Sequence, residues 1–186
     1  MYATQQLRDE HEGIKVVLDV LEHLGREMAL GHPVETDALA QIVDFLRTFA
    51  DRCHHGKEEA LLFPALEAVG LPRDGGPIGV MLADHTEGRM HIRAMVDALA
   101  RLQAGDDAGA AFADHALAYV RLLRAHIEKE NQVLFVMAER LLPAKVHATL
   151  TAEFDRVEAE QIGPGVHERY HALIHELQER YLQRVA

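Results

Sequence analysis

The 186-residue sequence contains no tryptophan, a single cysteine and only 5% aromatic residues. One cysteine excludes a disulfide within the chain. Few aromatic residues, combined with abundant alanine, leucine, glutamate and arginine, favour helices over strands. The length suits one well-buried domain. We therefore predict an all-α protein.

Positive charge and long apolar runs are also scarce. The sequence has 19 Lys and Arg residues against 30 Asp and Glu, a net charge of −11, so a phosphate backbone or an anionic membrane would meet like charge. No stretch approaches the ~20 apolar residues of a membrane span, and the first 25 residues lack the features of a secretory signal. We expect a cytoplasmic protein that binds neither nucleic acid nor membrane. A protein partner or a homodimer stays open.

Apolar residues recur at helical spacing in four long segments, which are separated by breaks rich in glycine, proline and aspartate. Thr36 and Asp107 are the expected N-caps of the second and fourth helices, and Pro64 is a candidate kink. The pattern predicts an up-and-down four-helix bundle over residues 1–141 and a C-terminal helical extension, packed on it, over 142–186. The four predicted helices cover roughly residues 4–30, 37–69, 78–104 and a last segment that ends near 141.

Six of the polar residues follow an internal duplication. The segment that starts at His54 reads H-x-x-K-E-x-x-x-L-F-x-x-x-E, and the same pattern returns 72 residues later from His126. Glu10-His11 recurs more loosely as Asp84-His85. The i,i+4 spacing of histidine and glutamate places both on one helical face. Each half therefore offers two histidines and one carboxylate as candidate metal ligands: His11, His54, Glu58, His85, His126 and Glu130.

Distances from the turns predict which histidines meet. His11 and His54 lie 20 and 18 residues from the first turn, and His85 and His126 lie 20 and 19 residues from the third. At about 1.5 Å per residue, each helical hairpin would bring its two histidines to one level. Four imidazoles and two carboxylates suit two metal ions, each with an open position for a small ligand. Nitrogen and oxygen donors without thiolate favour iron over zinc, magnesium or calcium.

These residues resemble the signature of the hemerythrin-like, or HHE cation-binding, family, which is a histidine followed by His-x-x-x-Glu, repeated. The resemblance covers roughly residues 1–141. It implies a non-haem, carboxylate-bridged centre of two iron ions in a four-helix bundle, with the six residues above as ligands and O2, peroxide or NO as the small molecule bound.

Two positions depart from the oxygen-carrying members of that family. Arg89 and Asn131 stand where those proteins have a further histidine and an aspartate, so the resemblance implies the six-ligand variant and argues against simple oxygen transport. Relatives of that kind are linked to nitric oxide defence and repair of iron–sulfur centres. They carry a Cys-bearing domain that this sequence lacks, which weakens a repair role. Three functions stay open: binding or sensing, an enzyme that removes peroxide or NO, and iron handling.

Several residues near the predicted ligands allow two interpretations. His55 and Glu59 are expected to face outward or a helix junction, because the repeat selects His54 and Glu58 instead. Cys53 is interpreted as a structural thiol, with a redox role as the alternative. Tyr119 is expected to fill the core rather than support a ligand. Arg89 could contact a bridging carboxylate or form a solvent-facing ion pair.

The tail carries a further histidine stripe. His167, His171 and His175 follow one another at i,i+4 spacing, which could bind Zn²⁺ or Ni²⁺. We expect solvated or interface histidines instead.

Overall fold

The computed structural model describes residues 2–162 and 165–182, and every regular element in these ranges is a helix. All-α architecture is thus confirmed. Within the described residues six helices follow one another, and α2 and α4 each combine α and π segments: α1 Ala3–Ala29, α2 36–68, α3 Pro77–Gln103, α4 109–141, α5 Ala144–Val157 with the π turn Glu158–Ile162, and α6 Val166–Tyr181.

The helix ends fall close to the predicted positions, but the caps differ. The N-caps of α2 and α4 are Glu35 and Ala108. Thr36 is already the first helical residue of α2, and α4 begins at Gly109, so its cap lies one residue after Asp107. Gly31 has a φ of 78°. This left-handed conformation lets the next amide donate back to a carbonyl five residues earlier, with His32 N and Glu27 O 2.9 Å apart.

π-helical turns occur at equivalent places in α2 and α4. Glu58 begins the π segment Glu58–Leu62, and Glu130 begins Glu130–Leu134. Pro64 follows only the first of them, so the π turn does not require a proline. A longer π segment, Leu46–His55, precedes the first. A π turn is wider than an α turn, so it changes which side chains share the inner face, and such turns are frequent at functional sites.

The helices pack into a bundle that surrounds a buried polar layer. Helix α4 packs along both α1 and α3, α2 packs on α3, and α5 and α6 lie against α1. One apolar cluster, which includes Leu21, Phe45 and Phe112, lies on one side of the layer. A second, which includes Phe63 and Phe135, lies on the other. The predicted ligands fall between the two clusters along each helix.

The extension is helical where the structure describes it. Tyr170, Ile174 and Leu177 of α6 are buried in the first apolar cluster, and the Tyr170 hydroxyl donates to Asp44. The division between residues 141 and 142 stays a prediction. No helix in the described ranges is both long and apolar enough to cross a lipid bilayer.

Candidate metal centre

The six predicted ligands lie together in the polar layer, and each is at most 1% exposed. His11 Nε2 and His54 Nε2 are 2.9 Å apart, and His85 Nε2 and His126 Nε2 are 3.3 Å apart. The predicted level match within each hairpin is therefore confirmed. Two nitrogens bound at right angles to one ion, at about 2.1 Å each, would lie about 3 Å apart. The spacing within each histidine pair fits one metal ion.

The two carboxylates each reach both histidine pairs. Glu58 places one oxygen 3.6 Å from His54 Nε2 and the other 3.5 Å from His85 Nε2. Glu130 Oε2 lies 3.2 Å from the Nε2 atoms of both His11 and His126. All four carboxylate oxygens are buried without a well-directed hydrogen bond from the described residues. Orphaned buried carboxylates are costly, so these residues fit a pair of bridged cations.

Two groups of donor atoms meet the distance requirement for a metal ion, with all atoms of a group within 4.8 Å of one another. Glu58 belongs to both groups. The first group joins it to His11, His54 and Glu130, and the second to His55, His85 and His126.

Burial shifts the protonation of Glu58 and His54 in the metal-free layer. Burial, and next the nearby Glu130 carboxylate, raises the pKa of Glu58 well above its usual range. Burial also lowers the pKa of His54 to about 4. Without a cation, the layer therefore favours a neutral imidazole at His54 and a protonated carboxyl at Glu58.

An outer ring of side chains fixes the histidines, and it follows the duplication. Glu10 accepts a hydrogen bond from His54 Nδ1 at 2.7 Å and forms an ion pair with Lys57 Nζ at 2.6 Å. In the second half, Asp84 pairs in the same way with His126 Nδ1, at 3.2 Å, and with Lys129. With Nδ1 occupied, Nε2 of each imidazole points inward, which is how outer partners orient metal-binding histidines.

The other two histidines are held across the halves. Glu59 Oε1 lies 2.7 Å from His85 Nδ1, and Asn131 Oδ1 lies 3.1 Å from His11 Nδ1. Glu59 and Asn131 each follow one of the two buried glutamates, Glu58 and Glu130, so their positions are equivalent in the repeat. Glu59 lies at the junction with α3, one of the two places expected for it, where it contacts His85 and Arg89. Asn131 contacts the predicted ligand His11 through Nδ1.

Arg89 forms ion pairs at a partly exposed position, which is the second of the two roles considered for it. Its guanidinium donates to Asp51 at 2.7 Å and to Glu59 at 2.8 Å, and its side chain is 32% exposed. It therefore holds Glu59 against His85 rather than touching a bridging carboxylate.

His55 departs from expectation. It is 3% exposed and lies in the polar layer, not on the outside. Its ring stacks on His85 with centroids 4.0 Å apart and planes 17° apart. Burial, and then the neighbouring histidines, lowers the pKa of His55 well below its usual range, so the ring is neutral. His55 is buried because its face of α2 packs against His85 of α3 and His126 of α4.

The Cys53 thiol and the Tyr119 phenol near the layer are both buried. Cys53 is 1% exposed, and burial raises its pKa to about 12, so it lacks the thiolate that a redox role requires. Tyr119 is fully buried in the apolar cluster, as the core-filling interpretation predicts, and its hydroxyl has no hydrogen-bond partner in the described part of the chain.

The extension contacts the outer ring but does not repeat the metal-site pattern. Glu158 Oε2 lies 3.3 Å from the buried Lys57 Nζ, so the segment after α5 helps to close the Glu10 side of the centre. His171 and His175 are exposed, and neither belongs to a donor group found among the described residues. The side chain of His167 lies outside those residues.

Comparison with known proteins assigns the family. The model of the hemerythrin HHE cation-binding domain matches residues 2–138, so the chain belongs to that family and the resemblance is confirmed. Uncharacterized proteins Mb2018 of Mycobacterium bovis and Rv1995 of Mycobacterium tuberculosis are 25% identical to it over 162 residues. The alignment covers 87% of this chain but 63% of each relative. No solved structure matches.

We expect Glu58→Gln to stabilise the metal-free protein at neutral pH and to weaken metal binding. The pKa of Glu58 is raised in the folded state. The contribution of this carboxyl group to the free energy of unfolding is therefore fully present below the unfolded-state pKa of 4.5, and it is lost as pH rises through the folded-state pKa. The gain in unfolding free energy of the variant should therefore grow with pH above 4.5, by roughly 1–3 kcal/mol in all. Chemical denaturation at several pH values measures it.

The matched control for that experiment is Glu128→Gln, because Glu128 is exposed on the same helix as Glu130. It should change neither stability nor metal binding. A Glu58→Gln variant that is less stable than wild type without metal would contradict the assignment of two facing buried carboxylates.

Glu10→Gln should weaken Fe²⁺ binding about 10- to 100-fold, the usual effect of losing an outer partner of a ligand histidine. The exposed Glu12, which pairs only with Lys15 among the described residues, supplies the control Glu12→Gln. Anaerobic competition with a chromophoric chelator gives both affinities. Equal affinities for the two variants would show that Glu10 does not position His54.

Proposed function

We propose that this chain holds two iron ions in a non-haem, carboxylate-bridged centre inside an up-and-down four-helix bundle, and that the centre binds or reacts with O2, peroxide or NO. The observation that carries the proposal is the pairing of histidines. Two Nε2 pairs, each at a spacing that suits one ion, are joined by two carboxylates that reach both pairs. His11 and His54 would hold one ion and His85 and His126 the other.

The donor chemistry supports iron. The layer offers imidazole nitrogen and carboxylate oxygen, and the nearby Cys53 thiol is buried and protonated. Mixed nitrogen and oxygen sites suit iron and other first-row metals, whereas thiolates favour zinc and iron–sulfur clusters. Magnesium and calcium prefer sites made of oxygen alone. Membership of a cation-binding family is consistent with this choice.

Each part of the chain has a definite task in this proposal. The bound iron pair supplies electron transfer and an open position for a small molecule. Glu10, Asp84, Glu59 and Asn131 fix the four imidazoles before metal arrives, so little reorganisation is needed on binding. The apolar clusters on both sides keep bulk water away, which strengthens the attraction between carboxylates and cations.

A binding or sensing protein and an enzyme would share this centre, because the chemistry resides in the metal and needs no side-chain nucleophile. The extension is the best candidate for passing a signal to a partner, since Glu158 contacts Lys57 and thereby the support of His54. An enzyme would need repeated access of peroxide or NO to the same position.

The test is anaerobic reconstitution with Fe²⁺, metal analysis, and optical spectra after addition of O2, H2O2 or NO. About two irons per chain are expected, as in other two-metal sites. A long-lived oxygen or NO adduct would support binding or sensing, and catalytic loss of H2O2 or NO would support an enzyme. His54→Gln is the control that should lose iron. Failure of the wild type to retain iron, or no response to any of the three molecules, would contradict the proposal.

A further inference from the structure

His55 lies where the internal duplication breaks. The equivalent position 72 residues later holds Ile127, which is 2% exposed in the first apolar cluster. Asp51, four residues before His55, corresponds in the same way to Leu123. The second half thus has two apolar side chains where the first half has an imidazole and a carboxylate. The polar layer therefore extends to the side of His85 that His55 covers. The six predicted ligands do not require a polar side chain at that place.

Distance alone would make His55 a seventh metal ligand. One of its ring nitrogens lies within 4.8 Å of donor atoms of Glu58, His85 and His126. Ring orientation argues against that role. An ion bound to an imidazole lies in the plane of the ring, because the nitrogen lone pair points along that plane. The rings of His55 and His85 are stacked 4.0 Å apart and only 17° from parallel, so an ion in the plane of His85 lies well outside the plane of His55.

The same orientation places His55 beside a coordination position. A small molecule held at the metal on the His55 side of the His85 ring would lie closer to the plane of the His55 ring than the ion does. One ring nitrogen of His55 lies within 4.8 Å of donor atoms of Glu58, His85 and His126, so it would be near such a molecule. His55 is also held in place, because it is enclosed by His85, His126 and His54 at ring-centroid distances of 4.0, 5.4 and 5.6 Å.

The surroundings of Nδ1 indicate what the inward nitrogen offers. His55 Nδ1 is buried and makes no hydrogen bond with a described residue, and Asp51 Oδ1, which accepts from Arg89, lies 3.5 Å from it. In the four predicted ligand histidines, Nδ1 lies at hydrogen-bonding distance from an oxygen. The nearby Asp51 carboxylate favours a proton on His55 Nδ1, and a neutral imidazole has only one N–H. This tautomer leaves His55 Nε2 as a hydrogen-bond acceptor.

We propose that His55 accepts a hydrogen bond from a small proton-bearing molecule, such as hydrogen peroxide, when that molecule binds at the His85–His126 side of the centre. This inference rests on the proposed iron centre and names the ligand class that the centre favours. Molecules without a proton, such as azide or NO, gain nothing from an acceptor at this position. His55 is thereby a specificity-determining residue and not a metal ligand.

The test compares His55→Ile with wild type, because isoleucine is the residue that the repeat itself places at the equivalent buried position. Iron content should remain at the wild-type value. The second-order rate of the spectral change on adding H2O2 should fall about tenfold, as expected for one lost hydrogen bond. The dissociation constant of azide, measured by optical titration, should change less than twofold.

Two further variants separate the role of His55 from simple packing. His55→Gln keeps a buried carbonyl acceptor and should recover part of the H2O2 rate. His91→Gln is the matched control, since His91 is 8% exposed on α3 but pairs with His115 away from the six ligands; it should leave both measurements unchanged.

Three results would overturn the inference. Loss of about one iron per chain in His55→Ile would make His55 a ligand. An equal fall in peroxide rate and azide affinity would make it a packing residue, and an unchanged peroxide rate would remove it from the site. Absence of iron in the wild type would instead contradict the proposed function, so the two failures can be told apart.

Discussion

The structure depends on a layer of ionisable side chains enclosed between two apolar clusters. Four imidazoles and two carboxylates are at most 1% exposed there, and the carboxylate oxygens have no well-directed donors among the described residues. Burying unpaired charge costs several kcal/mol per group on general grounds. A cation that attracts both carboxylates would turn this cost into a gain, so metal binding of the kind we propose would contribute to folding.

The outer ring explains how a bundle of helices can present donors so closely spaced. Each of the four buried histidines contacts an oxygen through Nδ1. His54 contacts Glu10 of its own half, whereas His85 contacts Glu59, the residue after the buried Glu58 of the other half. Phe63 and Phe135, from the Leu-Phe pair of the repeat, stack on His85 and His11 across the halves. The two halves therefore hold one another's ligands in place.

Much of this arrangement could be predicted from the sequence, because helical rise turns distance along the chain into height. Counting from the turns was enough to pair His11 with His54. The outer ring was visible in part, since Lys57 recurs as Lys129 within the repeat, but contacts that cross between halves require knowledge of helix packing. The repeat distinguished His54 and Glu58 from their neighbours, but it could not show that His55 stacks on His85 or that Glu59 pairs with the same histidine. Both contacts depend on how α2 packs against α3.

The departure of the two halves from symmetry is as informative as their likeness. Asp51, His55, Glu59 and Arg89 form a connected polar group beside His85, whereas the equivalents of Asp51 and His55 are Leu123 and Ile127. The two histidine pairs built from one repeat thus have different surroundings, so the two metal positions we propose would differ in the small molecules they favour.

We propose that the metal stabilises the buried layer that binds it. The most direct test is a chelator titration of the iron-loaded protein at fixed pH, with iron release and the thermal unfolding of helical circular dichroism followed in the same samples. The melting temperature should fall in step with iron loss, because removal of the cations takes away the attraction that holds the buried carboxylates and imidazoles together. A melting temperature that stays constant while the iron leaves would contradict the account.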